Sequence, residues 1–382
     1  MKRLLLLLLL ACVGLWLAAC SPLTLSPTSL SDRLIAPGGV SPLLDRPRIA
    51  AAIASVPHRN GFAPGRDGVA IFWRAFDPGD YGAHYTYLPQ RHQDGRPLQT
   101  GLSLAVPDPF RPQEPRGTVV VLHGWMMNGD SMLPWTLQLA GSGYRVVTLD
   151  LRNHGQSGAG PSGYGTYESD DVVDVIAALR ERGEVVGPLY LFGVSYGAAT
   201  ALFTADKMGD AVAGVVAMES FANAGVAIRT MTAHLMALQP EGIQGRLMAS
   251  YARWRYGGQD IDQVVAAAGE RIKVDLDKVD VASALAQTRA CVLLLHGQGD
   301  EHIPVSQGRI LARANPRAHY IEMRGEDHIT LPLRVDLLAG VVDDWMVRDA
   351  GQSTLCPAPR LPSQAEWLVR GSDTPMASPG QG

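Results

Sequence analysis

The sequence predicts an α/β protein whose sheet is mostly parallel and flanked by helices. Short apolar runs recur along the chain, at residues 117–122, 144–149, 189–194, 212–218 and 291–295. Runs of this kind, in which apolar and polar residues do not alternate, are typical of parallel strands covered on both faces. Helical patterns separate them; between residues 167 and 182, for example, apolar side chains recur at the spacing of one helix face. We therefore expect strands and helices to alternate along the chain.

Length and composition indicate a globular protein. The 382 residues suffice for one large α/β domain with an insertion or for two modest domains. A hydrophobic content of 46% with 18% charged residues is typical of a folded core. The formal net charge of −4 argues against nucleic acid or anionic lipid as the main partner.

The first twenty residues have the pattern of an export signal. Lys2 and Arg3 supply the positive end, and the apolar run that follows is too short to span a bilayer comfortably. The run ends in Leu-Ala-Ala-Cys at residues 17–20, which resembles the lipobox of bacterial lipoproteins. The resemblance implies a lipidated Cys20 in the cell envelope, and Ser21 after it indicates the periplasmic side of the outer membrane. An ordinary secretory signal, in which Cys20 is incidental, is the alternative.

A strand, a sharp turn and a helix are predicted around Ser195. An apolar run breaks at Gly193, and a helical pattern of small residues begins directly after Ser195. A side chain at the apex of such a turn projects over the free N–H groups of the following helix, where negative charge is stabilised. Gly193 and Gly197 flank the apex because strand and helix pass too close there for a Cβ. The Gly-x-Ser-x-Gly spacing is that of a nucleophile elbow.

Three further turns, each after an apolar run, accompany this elbow. They are His123-Gly124-Trp125, Asp150-Leu151-Arg152-Asn153-His154-Gly155-Gln156-Ser157, and His296-Gly297-Gln298-Gly299-Asp300 with Pro304 beyond it. Together with a late loop that contains His328, they resemble the α/β-hydrolase family, and within it the serine-aminopeptidase-like and lysophospholipase-like group, over residues 117–347. The resemblance implies an eight-stranded, mostly parallel sheet with a helical cap inserted between strands six and seven.

The resemblance also implies roles for particular residues. Ser195 would be the nucleophile, His328 its base, and Asp300 the acid that orients the base. The backbone N–H groups of Trp125 and Tyr196 would form the oxyanion hole.

Two other residues have competing interpretations. Glu219, at the end of predicted strand six, is a second candidate for the acid, although Asp300 is favoured. His154 is expected to be a structural turn residue and not a catalytic base.

Neither a cofactor nor a metal ion is implied by such a reaction. Asp170, Asp171 and Asp174 lie close together, but no His or Cys accompanies them, so we interpret them as the solvated start of a helix. After loss of the signal, Cys291 and Cys356 are the remaining thiols in an oxidising compartment. A disulfide bond between them is the alternative, and two free cysteines are favoured.

The pattern divides the chain into six segments. They are a signal peptide, 1–19; a lipidated N-terminus and tether, 20–64; the first part of the core, 65–220; the cap, 221–287; the second part of the core, 288–350; and a disordered tail, 351–382. Residues 69–75 and 98–106 are predicted to be the opening antiparallel strands.

The expected function is hydrolysis of carboxylic esters, lipid esters included, by a membrane-anchored serine hydrolase. Peptidase or amidase activity on the same triad is the second hypothesis. A lipid-tethered binding protein that keeps the fold without activity is the third. The expected partners are a small-molecule or lipid ester and the membrane, and not nucleic acid.

Overall fold

The computed structural model describes residues 29–37, 45–88, 99–240, 242–349, 356–361 and 374–375. The predicted signal peptide and Cys20 lie outside these residues, as does most of the predicted tail. Among the helices within these ranges, none has the length and apolar composition needed to cross a bilayer.

The described strands form two sheets. In chain order they are β1 Arg59–Pro64, β2 Ala70–Phe76, β3 His84–Leu88, β4 Gln99–Ser103, β5 Thr118–Leu122, β6 Arg145–Leu149, β7 Leu189–Val194, β8 Gly214–Met218, β9 Cys291–Gly297, β10 Ala318–Met323 and β11 Thr374–Pro375. The main sheet has eight strands in the order β1-β2-β6-β5-β7-β8-β9-β10. In this sheet β2 runs antiparallel to both of its neighbours, β1 and β6. The strands β6, β5, β7, β8, β9 and β10 are parallel to one another. A separate antiparallel sheet contains β3, β4 and β11.

The helices lie mainly between these strands. They are α1 Leu30–Ile35, α2 Arg46–Ser55, α3 Leu133–Gly141, α4 Thr166–Glu181, α5 Tyr196–Met208, α6 Ala224–Ala237, α7 Ile243–Tyr256, α8 Ile261–Ile272, α9 Val281–Gln287, α10 Val305–Ala314 and α11 Val335–Asp349. Short 3-10 turns occur at Arg66–Gly68, Gly129–Met132, Gly209–Ala211, Leu276–Lys278 and Leu331–Leu333.

Each face of the main sheet has its own apolar core. One core contains Val172 of α4 and Leu202 of α5, and the other contains Trp135 of α3 and Trp345 of α11. All five residues of β5 are buried, as expected for a strand covered on both faces. The expected fold is confirmed: eight strands, mostly parallel, are flanked by helices, and the cap, α6 to α9, lies between β8 and β9, the sixth and seventh strands of the main sheet.

The opening strands differ from the prediction. The first antiparallel pair is β1 with β2, so the sheet begins before residue 65. The predicted strand at 98–106 contains β4, which pairs with β3 outside the main sheet. β1 was missed because it is an edge strand that buries only Ala63 and ends in Pro64, so its sequence carries little of the apolar pattern of a strand.

Part of the predicted tether is folded. At the start of α1, Ser29 and Asp32 exchange the hydrogen bonds of a capping box. Asp32 also pairs with Arg271 of α8, with an N–O distance of 2.6 Å. The prediction of a tether over residues 20–64 is therefore wrong for the described residues of that range, which form two helices and a strand. The Pro, Ser and Gly content of the range is typical of a linker, and for this reason the elements were not predicted.

Cys291 and Cys356 form a disulfide bond. It joins the start of β9 to the segment after α11, where Trp345 Nε1 donates to the Pro357 carbonyl at 2.9 Å. The prediction of two free cysteines is wrong, and so is the prediction of disorder for residues 356–361. A pairing across 65 residues depends on where α11 ends in space, which composition does not reveal.

Candidate active site

Ser195 lies at the apex of the turn between β7 and α5. Its φ of 53° and ψ of −113° are strained for a residue with a side chain, and this conformation is typical of a nucleophile elbow. A Cβ on Gly193 would lie 2.3 Å from the Gly197 carbonyl oxygen, and a Cβ on Gly197 would lie 2.3 Å from the Leu122 carbonyl oxygen. The close approach of strand and helix predicted for these two glycines is confirmed.

Ser195, His328 and Asp300 meet beyond the carboxyl ends of β7, β10 and β9. The Ser195 hydroxyl donates to His328 Nε2 with an Oγ–Nε2 distance of 3.0 Å. On the other side of the ring, His328 Nδ1–H donates to Asp300 Oδ2 at 2.7 Å. The structure thus brings together a hydroxyl, an imidazole and a carboxylate in the arrangement that activates a serine nucleophile.

Asp300 is held by more than the imidazole of His328. Its side chain is fully buried, Oδ1 accepts the Ile303 N–H at 2.7 Å, and His296 Nε2 lies 3.3 Å from Oδ2. Burial alone would raise the pKa of Asp300, but hydrogen bonds with His296 and His328 outweigh burial and lower the pKa. The carboxylate is therefore ionised and can orient His328.

Glu219, the other candidate acid, is a buried neighbour of Asp300. Its backbone has φ 56°, and its Oε1 accepts the Gly297 N–H at 3.0 Å. Burial, and after it the neighbouring Asp300 carboxylate, raise the pKa of Glu219, so this carboxyl keeps its proton at neutral pH. Of the two carboxyls, Asp300 makes the hydrogen bond to His328.

The same cluster contains three groups that could ligate a metal ion. One atom each from Glu219, Asp300 and His328 lies within 4.8 Å of the others. However, His328 is engaged with Ser195 and Asp300, and Glu219 holds the Gly297 amide. A cation would have to displace these hydrogen bonds, so the set fits proton transfer better than metal binding.

The turn after β5 brings a second backbone amide to the nucleophile. A Cβ built on Gly124 would lie 3.7 Å from Ser195 Cβ, and Trp125 is the next residue of that turn. Tyr196 is the first residue of α5, so its N–H has no acceptor within the helix. The rings of Trp125 and Tyr196 are 4.9 Å apart. The two amides predicted to hold an oxyanion therefore belong to the two turns that meet at Ser195.

His123 supports the Trp125 turn. Its ring is fully buried, Nδ1–H donates to the Gly124 carbonyl at 2.8 Å, and Nε2 accepts the Leu151 N–H at 3.0 Å. Burial lowers the pKa of His123 to about 4. The ring is neutral at pH 7, which its role as an acceptor for Leu151 requires.

His154 lies in the aromatic cluster around Trp125 and apart from the triad. Its Nδ1–H donates to the Arg152 carbonyl at 2.8 Å, and its ring centroid is 5.3 Å from that of Trp125. Burial, and then the charge of His123, lower the pKa of His154 to about 3. Its position is that of a structural turn residue.

The acidic start of α4 is not uniformly solvated. Asp171 is 1% exposed and accepts two hydrogen bonds of 2.7 Å from the Arg152 guanidinium. Asp170 pairs with Lys207 at the surface. The prediction of a solvated helix start is therefore wrong for Asp171, because Arg152 from the preceding turn reaches it.

Sequence reasoning missed two histidines beside the triad. The ring of His302 stacks on His328 with centroids 5.2 Å apart, and His234 of α6 lies 4.6 Å from His302 on centroids. Burial, and then the charges of His328 and His234, lower the pKa of His302. The position of His302 two residues after Asp300 is a signal that the sequence offered, whereas His234 reaches the site only through the packing of the cap.

Comparison with known proteins agrees with this fold. The model of the family described as Alpha/beta hydrolase family matches residues 119–341. The chain therefore belongs to the alpha/beta hydrolase family, and this membership supports a hydrolase function.

Individual relatives are distant. Uncharacterized protein YqkD of Bacillus subtilis is 28% identical over 220 residues, which cover 56% of this chain and 66% of that protein, just short of two thirds of its length. The Pyrococcus furiosus esterase Pf2001 is similar in structure, with a TM-score of 0.53 and 15% identity over 83% of this chain and 97% of that one. A membrane phospholipase A, described as a bacterial virulence factor, is similar in structure, with a TM-score of 0.50 and 17% identity. The match covers 92% of this chain and 100% of that one. At such identities the likeness shows the fold alone.

Proposed function

We propose that this chain is a serine hydrolase that cleaves carboxylic esters, lipid esters included, through an acyl-enzyme on Ser195. The observation that carries the proposal is the hydrogen-bond chain from Ser195 Oγ through His328 to Asp300, with distances of 3.0 and 2.7 Å. The esterase and the phospholipase A of similar fold support an ester substrate.

In the proposed reaction Ser195 Oγ attacks the ester carbonyl carbon while its proton passes to His328 Nε2. Asp300 stabilises the imidazolium, and the N–H groups of Trp125 and Tyr196 stabilise the oxyanion. The bond to the alcohol oxygen breaks, and His328 protonates that oxygen. Water then attacks the acyl-enzyme with His328 as the base, which releases the carboxylic acid and restores Ser195.

Covalent labelling tests the proposal. A fluorophosphonate probe reacts with an activated serine, so we expect it to label the wild-type protein and not Ser195→Ala. Ser55→Ala, which changes an exposed serine at the end of α2, is the matched control and should label like the wild type. Labelling of Ser195→Ala at the wild-type level would refute the proposal.

Rates on two substrate series distinguish the ester proposal from the peptidase hypothesis. We expect faster hydrolysis of 4-nitrophenyl esters of increasing acyl length than of aminoacyl 4-nitroanilides. A higher kcat/KM on the anilides would assign the chain to the peptidases, which use the same triad.

We further propose that the protein is held in the bacterial envelope by a lipid on Cys20. The lipobox-like residues 17–20 support this placement, and the Cys291–Cys356 disulfide supports an oxidising compartment. The intact mass of the protein purified from envelopes tests the anchor. We expect an acylated chain that begins at Cys20, and a mass that retains residues 1–19 would contradict it.

A further inference from the structure

An apolar stripe runs along α7, and it is exposed among the described residues. Ile243, Leu247, Tyr251 and Trp254 follow one another at helical spacing and are 80%, 66%, 44% and 79% exposed. None of the side chains described on this helix is buried. Most of the stability of a helix in a protein comes from packing of its apolar face. The stripe is therefore a surface that gains from a partner beyond the described residues.

The charges on α7 indicate what that partner is. Arg246, Arg253 and Arg255 belong to the helix, which contains no acidic residue, although the whole chain has a net charge of −4. An apolar face that includes Trp, beside arginines, is typical of helices that lie in the interface of a phospholipid bilayer, where arginines meet the phosphates. A second copy of the chain would bring these arginines against one another, which is unfavourable.

The helix that carries the stripe contacts the end of α6, where Arg253 of α7 donates to the Leu238 carbonyl at 2.9 Å. Leu235 and Leu238, at the end of α6, are 46% and 40% exposed. From the same helix His234 packs on His302, and His302 stacks on His328. A partner of α7 would therefore lie on the part of the cap that contacts the catalytic loop.

We propose that α7 docks the cap on a phospholipid bilayer, with Ile243, Leu247 and Trp254 at headgroup depth and the arginines on lipid phosphates. This contact is separate from the lipid predicted on Cys20 and does not depend on the proposed reaction. Because the rest of the chain is net negative, the surface of α7, with three arginines and no acidic residue, is the one that turns toward anionic lipid.

Fluorescence quenching tests the docking. The full chain with Ser195→Ala, which cannot hydrolyse the vesicle lipid, is mixed with phosphatidylcholine vesicles that contain nitroxide-labelled headgroups, with and without phosphatidylglycerol. The Trp254 signal is the difference between this chain and the same chain with Trp254→Phe. We expect this signal to be quenched in both vesicles, and at lower lipid concentration when phosphatidylglycerol is present.

Two substitutions make the test specific. Leu247→Ser should raise the lipid concentration for half-quenching about tenfold, since a leucine is lost from the apolar face. Ile310→Ser, on the exposed face of α10, is the matched control and should leave the lipid concentration for half-quenching unchanged.

Absence of Trp254 quenching, or equal quenching after Leu247→Ser, would overturn the proposal. A dimer in solution that Leu247→Ser disperses, without quenching, would assign the stripe to a second copy and would also overturn it.

Discussion

Asp300→Asn should lower kcat for a 4-nitrophenyl ester about 10⁴-fold while leaving the fold intact. In the wild type, the Asp300 carboxylate accepts the Nδ1–H of His328 and leaves Nε2 free to take the Ser195 proton. The amide of Asn can present an N–H to Nδ1, which favours the tautomer with its proton on Nε2. His328 then faces Ser195 as a donor and cannot act as its base. Circular dichroism would verify folding of the variant.

Glu219→Gln is the informative control for this prediction. Because the raised pKa keeps Glu219 protonated, a neutral amide of the same shape can still accept the Gly297 N–H and adds no charge beside Asp300. We expect kcat within about tenfold of the wild type, since one hydrogen bond of ordinary strength is exchanged for another. A loss as large as that of Asp300→Asn would show that Glu219 is an ionised acid in the reaction.

Two buried histidines should contribute less to stability in mild acid than at neutral pH. His123 and His154 are neutral in the folded chain, with pKa values lowered to about 4 and about 3, whereas the ordinary value is 6.5. Unfolding raises their pKa, so the unfolded chain binds more protons below pH 6.5. The contribution of the two histidines to the free energy of unfolding is therefore present above pH 6.5. It is lost as the pH falls toward their pKa values in the folded chain. Between pH 7.5 and 5.5 the contribution of this pair to the free energy of unfolding should fall by about 2.7 kcal/mol. Glu219, which is protonated in the folded chain and ionises on unfolding, changes the free energy of unfolding in the opposite direction.

Urea denaturation of the wild type and of His154→Gln at the two pH values isolates the share of one histidine, because the other titrating groups are common to both proteins. In His154→Gln one titrating group is removed, while an amide N–H can still donate to the Arg152 carbonyl. From pH 7.5 to 5.5 the free energy of unfolding of this variant should change by about 1.4 kcal/mol more in the stabilising direction than that of the wild type. An equal change in both proteins would mean that His154 does not titrate on unfolding as its burial implies.

The candidate triad could be predicted because Ser195, Asp300 and His328 lie in turns or loops that resemble those of the α/β-hydrolase family. The carboxyl ends of parallel strands share one edge of the sheet, which is why residues so far apart in the sequence meet there. The resemblance favoured Asp300 over Glu219 as the acid. The two residues follow adjacent strands, and the hydrogen bond to His328 is made by Asp300.

The features that the sequence did not reveal depend on tertiary contacts. β1 is recognisable only through its pairing with β2, because its own residues are mostly exposed. The Cys291–Cys356 bond and the His234–His302 contact join residues from distant parts of the chain. Local pattern describes what a segment can bury, whereas these contacts depend on which segments the fold places side by side.

The position of the cap has an evolutionary consequence. The chain leaves the sheet after β8 and returns in β9, and these two strands are direct neighbours, with Gly214 opposite Cys291. An insertion that starts and ends at adjacent strands can lengthen, shorten or be exchanged without shifting the register of any other strand. Descendants of this chain can therefore vary the length and sequence of the cap while the eight-stranded sheet keeps its register.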